Sequence, residues 1–348
     1  MRKKALIGGV LILLAVTSMA ADQPSDSLSL SDMNAGGTTR NGSPNQVLAG
    51  LSSTAGPRRQ AQTLAESIFP DFTIRRTVPE VRFQFSVADE RGQLVTDLSP
   101  SDFRIFDNQS AVQQIRQFSR LDDLSLQLGI LLDVSDSVQK TTTREKLAAQ
   151  IFVQQVLRPQ TDRAFLMAFA RDVKLWQPST GDATALRRSL ELIQQAGYAT
   201  NLYDGVFSAC FGRFPQSDGP GVVQRVVVLF SDGEDTGSLH GMPDVIALAQ
   251  RNEIQIFALS IHARRKPTTG DEVLHRLADE TGGRFYVAAS DKELLAIFTE
   301  MEQQMRRQYA VSFQPQQETP GFHALRVELN SPQNLRVRAR QGYYFQAP

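Results

Sequence analysis

The chain has 348 residues, 41% of them hydrophobic and 21% charged, the make-up of a globular protein with a real core and room for one large or two modest domains. Lys plus Arg and Asp plus Glu both number 37, so the formal net charge is zero and the basic surplus that general nucleic-acid binding requires is missing. The single cysteine, Cys210, excludes an internal disulfide, and its place on an apolar helix face predicts a buried, inert thiol.

Arg2, Lys3 and Lys4 precede an apolar run from Ala5 to Val16 that is shorter than the roughly 20 residues needed to span a bilayer. Ser18 and Ala20 are small residues placed for cleavage after Ala20. Residues 1–20 therefore read as a secretory signal peptide, and the protein as exported, periplasmic or secreted. No cysteine follows to carry a lipid, and no later segment is apolar and long enough to cross a membrane. Residues 21–70 are rich in Ser, Gly, Asn, Thr and Pro, lack apolar periodicity, and read as a disordered spacer.

From Phe72 the pattern is β. Val81, Phe83, Phe85 and Val87 alternate with polar residues, Asp89 to Gly92 reads as a turn, and short strands follow at Arg104–Asp107 and near Val112–Phe118. Residues 71–120 are too few for an independent core. Between residues 124 and 308 strand-like and helical runs alternate. Strands are predicted at Leu126–Leu132, Arg163–Ala170, Arg225–Phe230, Glu253–Ile261 and Arg284–Val287, with a short antiparallel edge strand at Asp172–Trp176. Helices are predicted near Thr143–Leu157, Ala183–Gln195, Leu202–Phe211, Pro243–Arg251, Asp271–Glu280 and Asp291–Arg307. That alternation specifies an α/β fold with a doubly wound, mostly parallel sheet. Residues 309–348 return to β, with alternation at Tyr309–Phe313, Ala324–Leu329 and Leu335–Arg340. The two β segments are expected to combine into one small β-sandwich flanking the α/β unit. Arg336, Arg338 and Arg340 then read as the charged face of an edge strand.

Three segments carry candidate chemistry. Asp133, Ser135 and Ser137 follow the first α/β strand on alternate positions and offer a carboxylate and two hydroxyls to one point. Thr200 lies in a loop just before a helix, and Asp232 follows the most apolar strand, Val226–Phe230. In a doubly wound sheet, ligands collect beyond the carboxyl ends of the strands, where the strand order reverses. All five residues offer oxygen, the donor that hard divalent cations such as Mg2+ take. Each segment alone has a plain alternative: a helix cap, a turn, or, for Thr200, a cap on the Leu202 helix. Glu234, Asp235 and Asp136 read as solvated or supporting groups.

Asp-x-Ser-x-Ser, a later loop Thr and an Asp-Gly after a buried strand resemble the metal-ion-dependent adhesion site of von Willebrand factor A-type domains, over residues 124–308. Within that span Asp232–Thr236, and towards or beyond its ends Val87–Val95, Leu98, Asp102-Phe103, Arg307–Tyr309 and Arg340–Tyr343, are similar to a bacterial, acidobacterial subfamily of von Willebrand factor A-related proteins. The resemblance implies Ser135 and Ser137 as direct hydroxyl ligands, Asp133 and Asp232 as carboxylates holding the metal directly or through water, and Thr200 as the hydroxyl of the ligand-competent state. It implies Mg2+, with Mn2+ or Ca2+ as substitutes, and an open position for an exposed Asp or Glu of a protein or peptide partner. The chain departs from the family in carrying Tyr198-Ala199 where Gly-Gly is common before the Thr.

The implied function is a metal-dependent binding module for adhesion or assembly, not an enzyme. Its alternatives are a Mg2+-dependent hydrolase and a structural module with an inactive site. The four histidines, at 240, 262, 275 and 323, lack zinc-site spacing, and neither a Gly-x-Ser-x-Gly elbow nor a phosphate loop occurs. Arg264-Arg265-Lys266 reads as a solvated loop.

Overall fold

The run Val226–Phe230 is apolar at every position because both of its faces are covered: all five residues are fully buried. The computed structural model describes residues 80–138, 142–194, 197–215, 223–261, 267–330 and 334–345. The expected leader, the spacer, and the basic run Arg264-Arg265-Lys266 with His262 lie outside them.

In chain order the first elements are β1 (Val81–Ala88), β2 (Phe103–Asp107), β3 (Ser110–Ala111) and β4 (Ile115–Leu121). The α/β portion follows with β5 (Ser125–Asp133), α1 (Thr142–Val156), β6 (Arg163–Phe169), β7 (Val173–Thr180), α2 (Ala183–Leu192), α3 (Leu202–Cys210) and β8 (Val223–Phe230). It continues with α4 (Met242–Arg251), β9 (Ile254–Ser260), α5 (Thr269–Thr281), β10 (Phe285–Val287) and α6 (Asp291–Arg306). The chain closes on β11 (Gln308–Phe313), β12 (Gly321–Leu329), β13 (Arg336–Ala339) and β14 (Gly342–Phe345).

The central sheet has the order β10-β9-β8-β5-β6-β7. Its strands are parallel except β7, which pairs antiparallel with β6 at the edge. This is the expected doubly wound sheet, and the edge strand is longer than Asp172–Trp176. The chain leaves β5 towards β6 and returns to the other side of β5 at β8, so the strand order reverses between β5 and β8. Leu126, Leu128, Ile130 and Leu132 pack with Phe152 of α1, Leu190 of α2 and Phe298 of α6. Leu131 packs on the opposite face with Val206 of α3, Val245 of α4 and Leu274 of α5. Each such fully buried side chain contributes roughly 1.5–3 kcal/mol of burial.

The flanking strands form two four-stranded sheets, β13-β1-β11-β4 and β14-β12-β2-β3. β1 pairs with β11 and β13, and β2 pairs with β12, so each sheet draws strands from both ends of the chain. Their inner faces share one core, in which the rings of Phe85, Phe103 and Tyr309 meet at 5.0–5.5 Å between centroids. The Tyr309 hydroxyl donates to the Val95 carbonyl and accepts the Leu98 amide, both at 3.0 Å, fixing the irregular stretch after β1.

Two sequence expectations need correction here. The last strand of the first β segment is Ile115–Leu121 rather than Val112–Phe118. A bulge opposite Ser312 and Phe313 lets Ile115 and Phe118, three apart, both pack against the core, which hides the alternation. The Arg336–Arg338–Arg340 stripe is not uniformly solvated. Arg336 is exposed, but Arg340 is only 9% exposed and donates to the carbonyls of Arg82 (2.6 Å) and Gln250 (3.3 Å) beside Glu253 (3.5 Å). Edge strand β13 lies on the α/β unit at this point, and Arg340 fills the joint.

At the other junction Arg306, the last residue of α6, is buried and pairs bidentately with Asp162 at 2.6 and 3.2 Å. Its guanidinium also reaches the carbonyls of Leu124 and Val156. Asp162 in turn accepts the Leu126 amide. The entry to β5 and the exit from α6 are thus tied at the amino end of the parallel strands, opposite the end where Asp133 stands.

Candidate metal centre

Asp133 is the last residue of β5 and has the same parity as Leu131, so its side chain turns to the α3 side of the sheet. It is fully buried. One carboxylate oxygen accepts the Ser135 amide (3.0 Å) and the Ser135 hydroxyl (2.6 Å); the other accepts the Ser231 hydroxyl (2.8 Å). Burial pushes its pKa up to about 6; the three hydrogen bonds oppose that shift, and the charge of Asp232 adds to it. None of these donors is a cation. Among the described residues none brings it the opposite charge that would make its ionised form comfortable.

Ser231 is the functional neighbour that sequence reasoning missed. Leu132 pairs with Phe230 across β5 and β8, which brings the next residues, Asp133 and Ser231, side by side. The Ser231 hydroxyl donates to Asp133 and accepts the Gly233 amide (3.0 Å), so it orients both strand ends. The only sequence signal was a hydroxyl directly after an apolar strand.

Asp232 is half-buried and accepts the Glu234 amide at 3.2 Å. Its loop is held by close backbone contact. Gly233 has φ +81°, and a Cβ there would stand 2.1 Å from the Gly270 carbonyl oxygen. A Cβ on Gly270 would stand equally close to the Asp232 carbonyl oxygen. Two glycines thus let the start of α5 press directly on the residue that carries the second carboxylate.

Thr200 is buried and does not cap α3, whose N-cap is Asn201. Its carbonyl accepts the Thr236 amide (2.8 Å) and its amide donates to the Thr236 hydroxyl (2.9 Å), clipping the loop before α3 to the loop after β8. The Asp136 amide donates to the Gly197 carbonyl (3.1 Å), tying the loop after β5 to the same segment. Asp204 accepts the Leu239 and His240 amides and the His240 ring, and Asp235 accepts the Tyr203 amide and the Ser238 hydroxyl. Asp235 thus supports the loops, in keeping with its sequence reading. Ser137 lies in a short 3-10 turn, Asp136–Val138, at the same strand end, and its side chain is outside the described atoms.

The structure therefore brings Asp133, Ser135, Thr200 and Asp232 to one end of the sheet, at the strand-order reversal, on three mutually bonded loops. Two carboxylates and neutral hydroxyls make an all-oxygen donor set, which fits a hard divalent cation better than zinc or copper. Among the described residues, no group of three or more His, Cys, Asp and Glu side chains gathers to hold a metal. Cys210 is buried and its pKa is pushed up to about 12 by burial.

Residues 127–300 match the sequence profile of the von Willebrand factor type A domain. Among solved structures, the chain is similar to the conserved hypothetical protein BatB from Bacteroides thetaiotaomicron, at 20% identity and TM-score 0.43, over 50% of this chain and 96% of that one. It is also similar to proximal thread matrix protein 1 from the mussel byssus, in a form with a zinc-occupied MIDAS motif. That likeness is 16% identical at TM-score 0.45, over 57% of this chain and 49% of that one.

Proposed function

This chain belongs to the von Willebrand factor type A domain family, and from that premise we propose that it is an exported module that binds a protein partner through a divalent metal ion. The observation that carries the proposal is Asp133: a fully buried carboxylate at the strand-order reversal, hydrogen-bonded, among the described residues, by a serine amide and two serine hydroxyls. Asp133, Ser135, Ser137, Thr200 and Asp232 would hold the ion, and Mg2+ suits an all-oxygen set that leaves several waters in place. The bound ion would supply a Lewis-acidic position for an Asp or Glu of the partner.

The chain's own residues do the rest. Ser231 and Ser135 orient the buried carboxylate, Gly233 and Gly270 place Asp232, and Thr236 holds the Thr200 loop in register. In this reading residues 1–20 direct export and residues 21–70 are a spacer. Residues 124–308 present the ion, and residues 71–120 and 309–348 supply the supporting sandwich. Among the described residues, no helix is long and apolar enough to cross a membrane.

The test is calorimetric titration of the protein with Mg2+ and with Mn2+, alongside Asp133→Ala. The expected result is binding to the wild type and none to the variant. Equal binding by both would place the ion elsewhere and end this reading.

A further inference from the structure

Two of the loops around the candidate centre each hold a large apolar side chain in water. Tyr198 is 97% exposed and Leu239 is 93% exposed, the two highest values for large apolar residues among the described residues. Neither sits on loose chain. Tyr198 lies between Gly197, whose carbonyl accepts the Asp136 amide, and Thr200, which is bonded to Thr236. The Leu239 amide donates to Asp204 at 3.0 Å. The following residue, His240, gives Asp204 both its amide (3.0 Å) and its ring (2.7 Å).

From Leu239 the apolar surface continues along α3. The His240 ring lies flat on Phe207, with centroids 3.6 Å apart and planes at 14°. Phe207 stacks on Phe211 at 6.1 Å and again 14°, and Phe211 is 66% exposed. A lone exposed leucine needs no explanation, but a braced apolar strip beginning at a binding site marks an interaction surface. A small free carboxylate could reach the ion and would leave Tyr198, Leu239 and Phe211 wet. A polypeptide carrying its own apolar side chains would cover them. The strip's own side chains, Leu239, His240, Phe207 and Phe211, offer ring and aliphatic faces rather than a Lys or Arg cluster, which suits a polypeptide better than anionic lipid headgroups.

We propose that Tyr198 and the strip Leu239–His240–Phe207–Phe211 form the second half of the partner footprint, selecting a protein segment in which a carboxylate is followed by large aromatic or aliphatic side chains. This rests on the metal reading above. It makes recognition bipartite: the ion takes the carboxylate, and the strip decides which carboxylate.

The experiment is selection of a random peptide display library on the immobilised full chain in Mg2+, eluted with chelator. The wild type, Leu239→Ser/Phe211→Ser, and Phe322→Ser, an exposed control on β12 of the flanking sheet, are run in parallel, with Mg2+ calorimetry on each. The wild type and Phe322→Ser should enrich acidic residues followed by Leu, Phe, Tyr or Trp. The double variant should keep its Mg2+ affinity and the acidic preference and lose the apolar one, binding the wild-type winners about tenfold more weakly. Acidic enrichment without apolar bias in the wild type overturns this inference and leaves the metal reading standing. Apolar enrichment that chelator does not release also overturns it, because the strip then acts without the ion. Absence of Mg2+ binding in calorimetry overturns the metal reading itself.

Discussion

Asp133 sits among hydroxyls in a place that favours its neutral form, with a pKa of about 6. An exposed aspartate titrates near 4, so in ion-free protein the folded state holds this proton more tightly than the unfolded state does. The stability from this group is complete below about pH 4 and is lost as pH rises through about 6, a difference of roughly 3 kcal/mol. Chelator-treated protein should therefore show a downward step in melting temperature across that window, and Asp133→Asn should abolish the step. The same substitution should raise neutral-pH stability in chelator while removing any stabilisation by Mg2+. Metal affinity should run the other way, rising with pH through the window, because the ion needs the carboxylate. At Cys210 the expected outcome is silence: with its pKa near 12 and its side chain buried, the thiol should resist alkylation in native protein and react on unfolding. At this scale the sequence offered Asp133, Ser135, Ser137, Thr200 and Asp232 as candidates, because a residue's type and its place after a strand or before a helix are read locally. It was silent on Ser231, Thr236 and Asp204, which act through partners 98, 36 and 36 residues away.

Elements place the site by backbone contact. The Gly233–Gly270 approach puts the start of α5 against the Asp232 loop with no space for a methyl group on either side. Gly233→Ala adds a left-handed φ cost of about 1–2 kcal/mol to that clash. It should lower the melting temperature and also weaken Mg2+ binding, because the loop that gives way carries Asp232. Gly270→Ala should reproduce the metal defect without the φ cost, and calorimetry with paired melts would separate the two. Element types were legible because apolar runs and periodicity are properties of neighbours in the chain. Element edges and faces were less so. The β4 bulge and the burial of Arg340 depend on what packs opposite, and no pattern along Leu335–Arg340 distinguishes a solvated arginine from one filling a joint. Arg340→Ala takes from the Arg82 carbonyl its 2.6 Å donor, while the Gln250 carbonyl keeps the Glu253 amide. At about 1–3 kcal/mol for each buried group left unpaired, it should destabilise clearly where Arg336→Ala does not.

The molecule as a whole is an α/β unit inserted between β4 and β11 of a sandwich that neither flank can build alone. β1 finds both of its neighbours, β11 and β13, in the last part of the chain. A chain ending at Arg307 should therefore leave residues 80–121 open to proteolysis, read by limited digestion and mass spectrometry. Continued protection of that segment would show that it folds without its partners. The shortness of the two flanks made their union legible in the sequence; their interleaved strand order was not, since register is decided by contacts between distant residues.

That insertion also determines how the molecule would carry load. A pull applied between Glu80 and Phe345 meets the hydrogen-bonded ladders of the two sandwich sheets first. The α/β unit enters and leaves through β4 and β11, which are paired to each other, so it hangs from a closed clasp. Until that clasp unzips, the backbone between β4 and β11 is not stretched end to end, and force reaches the three loops around Asp133 through side contacts such as the Arg340 joint rather than along their own chain.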